Sequence, residues 1–156
     1  MARTSTSKDY EGRLVDLSIF PDLSTSGSSS LMYIGDKSKM IAGASKACQK
    51  FLIVFLTKLG SDKSRPNMGT AFSQMIQSGS IFISPGQVEQ AFNVEALAAI
   101  KYIESISNYE YSSVPLDEII TEVRLTDFTI SKTRLSIKAI VKFADNSTLP
   151  MMIPIA

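Results

Sequence analysis

Apolar residues recur at three- and four-residue steps in the middle of the chain and at every second residue near its end. Ile41, Ala44, Ala47, Cys48, Phe51, Leu52, Phe55 and Leu59 keep the helical rhythm, with Lys46, Gln49, Lys50 and Lys58 on the other side. The spacing predicts a helix that stops at Gly60. Residues 51–56 are apolar nearly all round, which predicts cover on more than one face. A short helix over 70–77 comes next, with Ala71, Phe72, Met75 and Ile76 as its apolar positions. A longer one starts where Ser84 can cap, Pro85 takes the first helical position and Gln87 completes a capping box. Val88, Phe92, Ala96, Ala99, Ile103 and Ile106 form its stripe, an end near Asn108 is expected, and Val114-Pro115 marks a break.

The last forty or so residues change to a period of two. Leu135, Ile137, Ala139, Val141 and Phe143 alternate with Ser136, Lys138, Ile140 and Lys142, the signature of a half-buried strand. Asp145-Asn146-Ser147 predicts a hairpin turn, and residues 148–155 a returning strand. Pro150 and Pro154 place that strand at an edge. Residues 122–130 form the preceding strand, and its alternation slips between Leu125 and Phe128, which predicts a bulge.

Ahead of the helices the pattern weakens. Residues 24–30 read S-T-S-G-S-S-S, a flexible polar tract. Leu14, Val15, Leu17, Ile19, Phe20 and Leu23 are too apolar for a free tail and predict a segment docked on its own domain or on a partner. Met32 to Ile34 forms a candidate short strand ended by Gly35-Asp36. The fold class expected is α+β: two to three helices packed on a small C-terminal antiparallel sheet, with an extended N-terminal arm. The arm covers residues 1–30, and residues 31–156 form a single domain. A small sheet needs a cover, and the amphipathic helices supply it.

Composition narrows the function classes. A chain of 156 residues is the size of one domain, and 44% apolar residues suffice for a core. Sixteen basic and 15 acidic residues give a net charge of +1, which argues against a dedicated nucleic-acid binder. Histidine is absent, which removes the commonest general base and the commonest metal ligand. One cysteine, Cys48, precludes an intrachain disulfide. The first ten residues lack an apolar signal core, and the longest apolar run falls far short of the roughly 20 residues needed to span a bilayer. A soluble protein made in the cytoplasm is expected.

Candidate chemistry is sparse. Asp117, Glu118 and Glu122 are close in sequence, but a glycosidase needs carboxyls facing each other across a cleft. Cys48 has no histidine to activate it and sits on a helical stripe, where a thiol packs as a small hydrophobe. No cofactor and no metal site is expected, since the acidic residues lack calcium-loop spacing. The loop over 60–69 has no Gly-Lys-Ser/Thr ending for phosphate. Lys58, Lys63 and Arg65 make it locally basic, either simply solvated or facing an acidic partner.

Two stretches resemble a known family. The run Q-K-F-L-I-V-F-L-T-K-L-G over 49–60, then P-N-M-G-T over 66–70, is similar to the central signature of the sheath initiators of contractile tails, also called lysozyme-like baseplate wedge proteins. Downstream, Glu122-Val123-Arg124 stands where that family carries a Glu-Pro-Arg triplet ahead of its last strands, with valine in place of proline. The resemblance spans about residues 34–155. It implies a non-enzymatic structural protein of the virion tail baseplate, also found in type VI secretion baseplates and assembled in the bacterial host cytoplasm. It further implies several copies in a ring, with sheath subunits, other baseplate wedge proteins and tail tube proteins as partners, and with no nucleic acid and no membrane. The sheath would be templated by strand pairing with its first ring. Glu122 and Arg124 are the partner-binding residues carried over. Two other readings stay open: another small tail assembly protein, such as a terminator or connector, and a muramidase-like hydrolase built on acidic residues.

Overall fold

The structure, a computed structural model, describes residues 16–17, 40–79, 84–110, 114–131 and 134–155. It is an α+β arrangement, as expected. Strands β1 (Asp16–Leu17) and β2 (Met40–Ile41) lead into helices α1 (Gly43–Leu56), α2 (Phe72–Gln77) and α3 (Pro85–Glu110). A 3₁₀ turn, Leu116–Glu118, precedes β3 (Ile120–Ser131), β4 (Arg134–Phe143) and β5 (Thr148–Ile155). These last three strands form an antiparallel sheet in the order β3-β4-β5, so among the described residues β4 is central and both neighbours are edges.

Alternation decides which face is covered. Leu135, Ile137, Ala139, Val141 and Phe143 of β4 are buried, together with Met151 and Ile153 of β5 and Val123 of β3. Helix α3 packs along β3 and against α1, which also touches β5. Phe55 of α1 meets Phe51 of the same helix, Phe72 of α2 and Phe92 of α3, and Phe72 meets Phe92, with ring centroids 4.7 to 6.0 Å apart. These four rings, each fully buried, join the three helices into one core.

The turn between β4 and β5 forms as the residues predict. Asn146 takes a positive φ of 66°, which asparagine tolerates. Asp145 Oδ1 accepts the Ser147 N–H at 2.9 Å and its hydroxyl at 2.6 Å. The bulge expected between Leu125 and Phe128 is present as a register shift between Leu125 and Asp127. A second shift, between Ile120 and Glu122, had no signal in the alternation.

Helix α1 ends four residues before Gly60. Thr57 is already extended, with ψ at 132°. Its C=O accepts the Thr70 N–H at 2.9 Å, while the Leu59 N–H reaches the Thr70 C=O at 3.0 Å. The chain leaves the helix to pair with Thr70 on the far side of the loop, so Leu59, expected on the apolar stripe, is 48% exposed. Gly69 makes this clasp close: a Cβ there would stand 2.5 Å from Thr57 O. The residues that carry the first family resemblance therefore have a structural job. Helix α3 runs on to Glu110, past the expected end near Asn108.

Two acidic side chains finish helices from a distance. Ala42 offers α1 no capping side chain. Glu118, 75 residues on, accepts the Gly43 N–H at 3.2 Å and the Lys46 ammonium at 2.7 Å. Glu95 of α3 accepts the Ala71 N–H at 2.8 Å, at the start of α2. Both place negative charge where helix N–H groups lack partners. The candidate strand over 32–34 lies outside the described residues, as does most of the arm over 1–30. Asp16–Leu17 pairs with Met40–Ile41, and Gln49 Nε2 donates to Asp16 Oδ2 at 3.1 Å. A piece of the arm thus lies on its own domain.

Candidate functional site

Strand β3 carries the two residues singled out by the family resemblance. Residues two apart on a strand share a face. Val123 is buried at 7%, and Glu122 and Arg124 on either side of it are exposed on the opposite face. Among the described residues, neither has an ion pair or a side-chain hydrogen bond. Across the ladder Glu122 stands opposite Lys142, and Arg124 opposite the half-exposed Ile140. The positive charge of Arg124 thus has an apolar neighbour on the side where Glu122 has a cation.

The same strand is an edge. Its outer side borders an open groove of about 350 Å³ between β3 and α3, lined by residues 121–125 and by Glu89, Asn93, Leu97 and Ile100. Leu97 is 52% exposed and its neighbour Val94 57%, so α3 presents apolar surface outside its buried stripe. The sequence held a signal for this: Val94 and Leu97 are large apolar residues of α3 that miss the spacing of the stripe. Their meaning depended on where β3 would lie.

No family model matches the chain, and no curated protein or solved structure is significantly similar to it.

The structure also places the remaining candidates. Glu118 is engaged with Lys46 and Gly43, while Glu122 lies on the exposed face of β3. Asp117 is in the 3₁₀ turn beside Glu118. Cys48 is 1% exposed, and burial pushes its thiol up to about 12, so it stays protonated at neutral pH. Among the described residues, no three His, Cys, Asp or Glu side chains converge as a metal site. In the basic loop, Asp62 accepts from Ser64 and from the Arg65 guanidinium at 2.9 Å. Those hydrogen bonds hold its carboxyl down at about 2. Arg65 is thereby partly neutralised within the loop. No described helix is long and apolar enough to cross a membrane.

Proposed function

We propose that this chain is a non-enzymatic building block of a contractile tail baseplate, one that templates the sheath by lending a sheet edge to its first ring. The observation that carries this reading is the β3 edge. It combines a strand with no described partner on its outer side, a groove beside it of mixed polar and apolar lining, and two outward charges with no ion pair among the described residues. An unpaired edge is an aggregation liability unless something covers it, and an added strand satisfies its N–H and C=O groups while setting register. The family resemblance supplies the partner class, sheath subunits. The ion-paired Glu118 favours a structural role over the muramidase-like alternative.

The test is reconstitution. Sheath subunits incubated with tail tubes should form rings sooner, and from one end, when the purified chain is present, as seen by negative-stain electron microscopy. Equal polymerisation with and without it would remove the sheath-initiator reading and leave a terminator or connector. Peptidoglycan hydrolysis abolished by Glu118→Gln or Glu122→Gln would overturn the structural reading altogether.

A further inference from the structure

The sheet has two edges, and the direction of their backbone groups distinguishes them. Phe143 N–H donates to Ser147 C=O at 3.0 Å, so the odd-numbered residues of β4 turn their backbone groups toward β5. Lys138 and Lys142 accordingly turn theirs toward β3, where their carbonyls accept Thr126 and Thr121 hydroxyls at 3.0 and 3.1 Å. The register then sets the outer groups of each edge. On β5, the backbone groups of Thr148, Pro150, Met152 and Pro154 point away from β4. Two of these four have no N–H, so an added strand finds donors missing at alternate sites. On β3, Glu122 and Arg124 are the pairs hydrogen-bonded to β4, which leaves Val123 and Leu125 turned outward, each with a donor and an acceptor.

We infer that the partner strand adds to β3 and not to β5, and that it is an extended, proline-free segment of another protein with an acidic residue between two apolar ones. This rests on the proposed strand-pairing function and deepens it. Residues opposite Val123 and Leu125 turn to the covered face, into the groove where Leu97 and Ile100 offer apolar contacts next to the polar Glu89 and Asn93. The residue between them turns to the open face beside Arg124. On the open face Glu122 stands opposite Lys142, whereas Arg124 faces Ile140 and has no opposite charge across the ladder; the groove's other acid, Glu89, belongs to α3. Complementarity across the new ladder calls for a carboxylate there.

The probe is a six-residue peptide, Ser-Val-Glu-Val-Ser-Ser, titrated to millimolar concentration against the isotope-labelled full chain. The Val123 and Leu125 amide resonances should shift, and those of Thr148 and Met152 should not. Changing the peptide's glutamate to lysine should weaken binding about tenfold, a modest effect for a like-charge contact. Arg124→Glu should reverse that preference, a swap that misfolding cannot imitate. Leu97→Asp should weaken both peptides. Shifts confined to the β5 amides, or none at either edge, overturn the inference. So does concentration-dependent shifting of the β3 amides without peptide, which would make a second copy the occupant. Peptide binding at β3 that sheath subunits do not displace would keep the edge assignment and defeat the sheath reading alone.

Discussion

Replacing Gly69 by alanine is the sharpest single perturbation of this fold. Gly69 has a φ of +108°, and the added Cβ would lie 2.5 Å from Thr57 O, 2.8 Å from Lys58 C and 2.9 Å from Leu59 N. All three are backbone atoms, so no side chain can swing aside. The positive φ costs an alanine about 1–2 kcal/mol. To relieve the contact, the chain has to part at the clasp, where Leu59 N–H and Thr70 N–H make their two bonds. Each lost bond costs about 1 kcal/mol. The total is about 3–4 kcal/mol, and at about 2–4 °C per kcal/mol for a domain this size the melting temperature should fall by about 6–16 °C. Gly79→Ala is the control. Its φ is +71°, but nothing lies within 4 Å of the new Cβ, so it bears the conformational cost alone. Thermal unfolding monitored by circular dichroism compares the two. If Gly69→Ala melts where Gly79→Ala does, the close approach does not hold the loop and the clasp is misjudged.

Three further perturbations probe the edge, the distant cap and the buried thiol. Glu122→Ala and Arg124→Ala should each change stability by about 0–1 kcal/mol, since both are exposed. Incorporation into baseplates should nevertheless suffer by about 2–5 kcal/mol if the contact is desolvated there. A large drop in melting temperature with assembly intact would reverse that assignment. Lys46→Ala leaves the Glu118 carboxylate, 8% exposed, without its cation and should cost about 1.5–3 kcal/mol in urea unfolding; no loss would mean that the Gly43 N–H and water suffice. Cys48 should resist a disulfide reagent at pH 8 until the chain is unfolded, because its thiol is buried. Its folded pKa is raised, so this group's contribution is intact below the unfolded value of about 8.5. It is lost as pH climbs toward about 12. Rapid labelling of the native chain would refute the burial.

The covered face of the sheet was legible in the sequence because side-chain direction along a strand depends only on parity. Leu135 to Phe143 could face the core in alternation, and they do. The start of α3 was likewise written locally, in Ser84 and Pro85. The second bulge was not, because it arises where Ile119 and Ile120 must meet Ala144 and Phe143 across the ladder. Nor was the early end of α1: the helical pattern continues to Leu59, but two backbone bonds to Thr70, arriving from across a loop, outcompete one more turn. Glu118 and Glu95 could not be read as helix caps, since each serves an N–H brought to it only by packing. The same holds for the candidate site. Glu122 and Arg124 could be placed on the outer face by counting residues. Pro150 and Pro154 already marked β5 as an edge, but that the strand of Glu122 and Arg124 is the other edge, with outward-facing donors, emerged only from strand order and register. Those depend on contacts between residues far apart in the chain.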